Sequence, residues 1–233
     1  MQEHSWPGML WGVLVRPGVT FNEWPEKAPF WPPALTLIGF NLILTLVALP
    51  KARAIVLLGL EKSPLPADEL AIATTIVNYF VPAMAILGAL IVPLIIWVAE
   101  AGAISLVGRA FGLQVTVAGL LPVAAVAWVA PLLGSLIQTL LILALPLEAM
   151  NQVKVSLAAF LPPSPHPGVG YLLLDKINPF VIWNFVLLGL GTAAVARVDN
   201  RRGLAVVLVI WMVYVAVSIA LSMAAMALNP AVH

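Results

Sequence analysis

Five long runs without charged residues divide the chain into apolar segments separated by short polar stretches. Each run approaches or exceeds the roughly 20 helical residues that are needed to cross a bilayer core of about 30 Å. The pattern therefore predicts an all-α fold, a polytopic membrane bundle of about five transmembrane helices. The runs cover residues 34–50, 70–99, 110–147, 177–196 and 203 to the C-terminus, where Asn229-Pro230 is the expected stop.

The second and third runs are longer than one crossing, so each is expected to extend beyond the hydrocarbon core. In the second run, residues 70–80 fit an amphipathic lead-in. In the third, residues 112–119 fit a short connection, and the crossing itself covers about 120–145. Four prolines in these runs remove backbone hydrogen bonds and are expected to bend their helices: Pro82, Pro93, Pro122 and Pro131.

The N-terminal segment, residues 1–32, combines four tryptophans with five prolines and does not fit a span. Tryptophan favours the headgroup level of a membrane. We expect an amphipathic interfacial helix here, an unstructured tail being the alternative, and a five-span domain over 33–233. The bundle is expected to fold without residues 1–26. The side chains expected to face lipid are Met9, Leu10, Val13 and Leu14.

The composition agrees with a membrane domain. Of the 233 residues, 62% are hydrophobic and 9% are charged, whereas soluble domains have about 45–50% apolar and about 25% charged residues. A net charge of +1, with no basic run longer than Arg201-Arg202, gives no indication of a nucleic-acid partner. The expected partners are therefore membrane lipids, with other membrane proteins or a homo-oligomer as further candidates.

The residues that usually carry catalysis are scarce. The absence of cysteine excludes disulfides, thiolate metal sites and cysteine nucleophiles. The three histidines, His4, His166 and His233, lie outside the expected spans, and no metal-binding, phosphate-binding or serine-hydrolase motif occurs. We therefore expect a protein that is not an enzyme and that needs no cofactor and no metal.

The distribution of basic residues gives a weak indication of orientation. One side of a five-span arrangement would hold six basic residues and the other side five. The positive-inside rule weighs short loops most, and the fourth loop holds three arginines: Arg197, Arg201 and Arg202. This favours a multi-pass protein of the cell membrane with a cytoplasmic N-terminus and a C-terminus outside.

Two ionisable residues at the second span are the main candidates for a functional site. Glu100 and Arg109 lie nine residues apart, on opposite faces of a helix, so they are not expected to pair. One interpretation is a polar cavity or coupling site, which Asn184 in the fourth span could join. The other is structural: Glu100 bonds a neighbouring helix, Arg109 reaches the headgroups, and Asn184 bonds across helices.

A second candidate site is the corner that precedes the fourth span. Asn178 followed by Pro179 is a typical helix start, so the helix is expected to begin within about two residues of Asn178. Phe180 and Trp183 are expected to share one helix face at the outer interface, beside Asp175. This corner is interpreted either as an anchor for the span or as a docking site for a partner or lipid headgroup.

The C-terminal third also carries a family resemblance. Asp175, Phe180 and Trp183 are followed by a glycine-rich span containing 186–191 and by the Arg201-Arg202-Gly hairpin. These features resemble the bacterial branch of the Ypt/Rab-interacting-protein (Yip-type) membrane family. Earlier features that also resemble it are Arg16-Pro17 with Thr20-Phe21, and Phe111-Gly112 followed by Pro122.

The resemblance implies five helices, a cytoplasmic N-terminus and an outward C-terminus, in the bacterial inner membrane for this branch. The family is not known as a group of enzymes. Its eukaryotic members are linked to Rab-type GTPases and vesicle traffic, but this chain lacks the long polar N-terminal region of many of them.

Two functional hypotheses follow. The first is a non-enzymatic membrane protein that organises or shapes the bilayer, or serves as an accessory subunit of a membrane complex. The second is a small transporter, channel or lipid-translocating protein that uses a polar site near Glu100. A polar cavity reaching the midplane would favour the second hypothesis, and a solid bundle with an exposed apolar groove would favour the first.

Overall fold

A computed structural model describes residues 5–147, 154–162 and 168–228. The expected stop at Asn229-Pro230 and the three histidines lie outside these residues. In this part of the chain ten α-helices occur, with a π-helical turn at Ile76–Phe80 and a 3-10 turn at Leu157–Phe160. The helices are α1 (Trp6–Val15), α2 (Pro17–Asn22), α3 (Trp31–Glu61), α4 (Ala67–Thr75), α5 (Val81–Ala110), α6 (Val117–Ala127), α7 (Val129–Ala144), α8 (Val169–Lys176), α9 (Pro179–Ala196) and α10 (Asn200–Leu228).

Five helical runs within the described ranges are long and apolar enough to cross a bilayer. They correspond to α3, to α4 with α5, to α6 with α7, to α9 and to α10. The prediction of an all-α membrane bundle with five long apolar helices is confirmed. Neighbouring runs pack in antiparallel pairs, most extensively α9 with α10, followed by α3 with α5 and α5 with α6.

The first span is longer than the sequence suggested. α3 continues through Pro50 to Glu61, so Lys51 does not lie after the helix but within it. Its ammonium group donates hydrogen bonds to the carbonyl oxygens of Leu143, at 3.0 Å, and of Leu145. Lys51 therefore supplies partners to carbonyls that the end of α7 leaves without intrahelical donors.

Two prolines coincide with the irregular turns. Residues 67–110 form one helical run and not a separate lead-in, but Pro82 cannot donate to the carbonyl four residues earlier, and the π turn lies directly before it. Pro131 likewise leaves the carbonyl of Ala127 without its helical donor, and α6 ends there. The third crossing, Val117–Ala144, is thus divided at Trp128.

The N-terminal helices pack against the bundle, which corrects one expectation. The side chains of Met9 and Val13 are only 2% and 0% exposed, and Phe21 is 2% exposed. Met9 and Val13 therefore do not face lipid, because the bundle itself covers the apolar face of α1. Trp11, on the opposite side, is 69% exposed. The position of this segment at the headgroup level stays a prediction.

The best-packed part of the bundle surrounds α6. Residues 123–127 are completely buried between α5 and α9, with Leu187 of α9 also at 0% exposure. Three aromatic rings close this core in edge-to-face contacts: Phe30 with Trp97 at 6.0 Å, and Trp97 with Trp128 at 5.8 Å between ring centroids. This core is close to the polar residues of the candidate site.

The N-terminal segment and the α9–α10 hairpin lie at the same end of the bundle. α2 packs on α9, and Arg197 of the hairpin donates a hydrogen bond to Glu26. A surface cavity at this end is lined by Glu26, by Gly119 of α6 and by Arg197. The N-terminus and the second and fourth connections therefore share one end, as five alternating crossings require.

Candidate functional site

The structure brings together two of the three residues of the first candidate site. Asn184 on α9 donates a hydrogen bond from Nδ2 to Oε1 of Glu100 on α5, at 2.9 Å. α5 positions Glu100 one turn after the buried Trp97, and α9 positions Asn184 one turn before the buried Leu187 and Leu188. Two long apolar helices are thereby joined by a polar contact between their side chains.

Each partner in this pair has one oxygen without a donor. Glu100 Oε2 and Asn184 Oδ1 are buried and find no hydrogen-bond partner among the described residues. Both oxygens are acceptors, and a carboxylate in an apolar bundle requires a proton, water or a cation to offset its lost hydration. The pair could therefore take up a proton or a small cation. It lacks the number of ligands that a metal site needs, and no cluster of three metal-ligating side chains occurs in the described ranges.

Arg109 does not belong to this pair. It is exposed at the C-terminal end of α5 and lines a surface cavity with Leu113, Gln114, Val115 and Thr116. The end of α5 is formed by Gly112, whose φ of 75° lies in the left-handed region where a side chain would be strained. Leu113 donates its N–H to the carbonyl of Gly108 at 2.9 Å, which closes the turn.

Glu100 and Asn184 line none of the three cavities that the structure describes. One of these cavities is an apolar groove between α9 and α10, and the other two lie at the end that contains Arg109 and Arg197. The unpartnered oxygens of the pair are buried, and none of these three cavities reaches them.

The corner before α9 forms a compact polar cluster. Asp175 on α8 accepts a hydrogen bond from Ser156 Oγ at 3.1 Å, and its carboxylate lies 3.7 Å from the ammonium group of Lys154. Lys154 also donates to the hydroxyl of Tyr171. The hydrogen bond with Tyr171, together with the charge of Asp175, raises the pKa of Lys154 above its ordinary value, although partial burial opposes this effect.

The start of α9 was predicted correctly, and its two aromatic residues have different surroundings. Asn178 Oδ1 accepts the backbone N–H of Phe180 at 2.9 Å, and the helix begins at Pro179. Phe180 packs inward over Gly134 of α7, where a Cβ atom added to the glycine would lie 2.9 Å from the ring. Trp183, in contrast, is 36% exposed. Phe180 therefore also contacts α7, and the outer face that it is expected to share with Trp183 stays a prediction.

The α9–α10 hairpin contains functional candidates that the sequence reasoning did not single out. The helices approach so closely that a Cβ on Gly203 would lie 2.2 Å from the carbonyl oxygen of Gly189. Further along, Phe185 and Trp211 meet edge to face, with ring centroids 6.4 Å apart. The two helices leave an open apolar groove on the outside of the bundle. Glycines at 189 and 203 were the signal that could have indicated it, but small residues are common throughout this chain.

Fold and sites together define a polytopic helical membrane protein whose candidate residues are distributed over an internal polar pair, a corner and a hairpin. The family model of the Yip1 domain matches residues 11–222, nearly the whole chain. The chain therefore belongs to the Yip1 family, which confirms the Yip-type resemblance. No curated protein and no solved structure gives a significant match. Membership of the bacterial branch stays a prediction.

Proposed function

We propose that this chain is a non-enzymatic membrane protein that organises or shapes the bilayer, or serves as an accessory subunit of a membrane complex. The observation that carries the proposal is the combination of a polar pair at Glu100, which bonds across helices and lines none of the three described cavities, with an open apolar groove on the outside of the bundle. A protein that moves a hydrophilic solute needs a polar path, whereas one that binds lipids or membrane helices needs an accessible apolar surface.

The outer surface of the bundle supports this proposal. Large apolar side chains are exposed on all five spans, among them Phe40 of α3, Ile95 of α5 and Leu221 of α10. The natural partners of such faces are lipid chains, and other membrane proteins or a second copy of this chain are further partners that we propose. Membership of the Yip1 family agrees with a membrane role of this kind.

For the orientation we propose a cytoplasmic N-terminus, a C-terminus outside and residence in the cell membrane. The N-terminal segment and the arginine-rich hairpin share one end, so the positive-inside rule applies to both together. Single cysteines at Asn200, in the hairpin, and at Lys62, between α3 and α4, test this proposal. An impermeant thiol reagent applied from outside should label Lys62→Cys only. Labelling of both positions from one side would contradict the five-span arrangement.

A small transporter, channel or lipid-translocating protein is the second candidate function. The observation that favours it is the pair of buried oxygens without donors at Glu100 and Asn184. Glu100→Gln distinguishes the two candidates, because the amide has nearly the same shape and keeps a carbonyl acceptor for Asn184.

The experiment compares wild-type and Glu100→Gln protein in vesicles that report proton, ion and lipid flux. We expect neither protein to give flux above that of protein-free vesicles. We also expect wild-type and Glu100→Gln protein to change the vesicle diameter by the same amount. Glu61→Gln, at the exposed end of α3, is the matched control. The proposal would be refuted, and the alternative established, if wild-type protein gave flux that Glu100→Gln abolished and Glu61→Gln preserved at equal expression.

A further inference from the structure

The groove between α9 and α10 has an apolar wall and one charged end. It encloses about 520 Å³, within the range of about 300–1,000 Å³ that is usual for ligand clefts. Phe185 and Trp211 form its inner end, and Ala205 and Leu208 lie along α10. Arg201, at the start of α10, is the charged residue that lines it. Arg201 and Trp211 are ten residues apart, which places them about 15 Å apart along the helix.

Arg201 differs from the two arginines beside it. Arg197 donates a hydrogen bond to Glu26, and the guanidinium of Arg202 lies 3.7 Å from the carboxylate of Asp199. In the described part of the chain, no acidic side chain forms an ion pair with Arg201. Its guanidinium is therefore available, at the mouth of the groove, to bind an anion with the forked geometry that suits phosphate.

We propose that this groove binds an anionic phospholipid of the surrounding bilayer, with the headgroup phosphate on Arg201 and one acyl chain along the groove towards Trp211. The pattern of charge supports this choice, because one cation is followed by about 15 Å of apolar wall.

The biological purpose of this lipid site rests on the proposed function, since a protein that organises a bilayer must bind particular lipids. The two can still fail separately. Flux through vesicles would refute the proposed function and leave lipid binding intact, whereas loss of the lipid site would leave the flux result unchanged.

Native mass spectrometry of the full chain tests the site. The protein is purified in a mild detergent with equal amounts of dioleoyl phosphatidylglycerol and dioleoyl phosphatidylcholine. We expect wild-type protein to retain the anionic lipid preferentially. Arg201→Gln should reduce that retention by about tenfold or more, the effect of losing a charge-assisted hydrogen bond to the phosphate. Arg202→Gln removes the same charge one residue away and should retain the anionic lipid as the wild type does.

A second pair of variants tests the apolar part. Ala205→Trp places a bulky ring inside the groove and should abolish retention of the lipid, while Ala216→Trp, exposed on the same helix outside the groove, should not. Melting temperatures establish that each variant is folded. Equal losses in Arg201→Gln and Arg202→Gln would overturn the headgroup assignment. Two results for Ala205→Trp would overturn the groove as a lipid site. One is unchanged retention of the lipid, and the other is loss of a bound polypeptide while the lipid is retained.

Discussion

Replacing Gly203 with alanine tests whether backbone contact holds α9 and α10 together. A Cβ at this position would lie 2.2 Å from the carbonyl oxygen of Gly189 and 2.8 Å from the backbone nitrogen of Ala193. Ordinary contacts begin at 3.4 Å, so the helices would have to separate by about 1.2 Å, the difference between 3.4 and 2.2 Å. Backbone atoms cannot rotate out of the way as a side-chain end can.

Two opposing effects decide whether Gly203→Ala raises or lowers the free energy of unfolding. Overpacking costs about 1–3 kcal/mol, and a clash with backbone on the facing helix belongs at the upper end of that range. Alanine is better than glycine inside a helix by about 0.5–1 kcal/mol. The net expectation for Gly203→Ala is a loss of about 2 kcal/mol, which lowers the melting temperature of a chain of this size by about 4–8 °C.

Gly39→Ala is the matched control, because a Cβ at Gly39 of α3 would have nothing within 4 Å. It retains the gain in helix propensity and should raise the melting temperature by about 1–4 °C. Thermal unfolding in detergent, followed by circular dichroism, measures both variants. A melting temperature for Gly203→Ala equal to or above that of Gly39→Ala would refute the close packing of the hairpin.

Three further predictions concern other parts of the bundle. Phe21→Ala should destabilise the protein by about 3–5 kcal/mol, because Phe21 is buried against Gly191; a wild-type melting temperature would show that the N-terminal segment is dispensable. The pKa of Lys154 is raised above 10.5 by its contact with Tyr171, so the stability that it contributes is present below pH 10.5 and is lost as the pH rises through the folded-state pKa. Lys154→Met should therefore be less stable than wild type at pH 8, with a difference that shrinks at strongly alkaline pH in unfolding measurements, and a constant difference would contradict this account. Trp183→Ala should lower the melting temperature in detergent while the bound lipids stay the same, as expected of an anchor; unchanged stability with a lost partner would indicate docking instead.

The spans could be predicted because charge is so costly in hydrocarbon that its absence marks them. The start of α9 was equally accessible, since the capping of Phe180 by Asn178 depends only on neighbouring residues. Span lengths were less accessible. From the sequence, Lys51 indicates the end of a helix. Its hydrogen-bond partners lie at the end of α7, and Leu143 is 92 residues away in the sequence.

The orientation of α1 could not be predicted for a different reason. An apolar face on a helix can be covered by lipid or by other helices, and both environments favour the same residue types. Val13 is therefore buried in the bundle although its sequence environment fits an interfacial helix equally well. Glu100 and Asn184 were both placed in one candidate polar site with Arg109, but nothing local indicates which of the three bond each other, since Glu100 and Asn184 are 84 residues apart.

The contact between the N-terminal segment and the α9–α10 hairpin has a consequence for biosynthesis. Glu26 and Arg197 are separated by 171 residues, and Phe21 packs against Gly191 in the same region. At about 5–20 residues per second, the ribosome delivers the later partners roughly 10–30 seconds after the earlier ones. During that interval α1 can already contact α3, α6 and α7, but α2 lacks its partner α9. We therefore expect the N-terminal segment to reach its final packing only after the fourth span has been inserted, when Phe21 of α2 can meet Gly191.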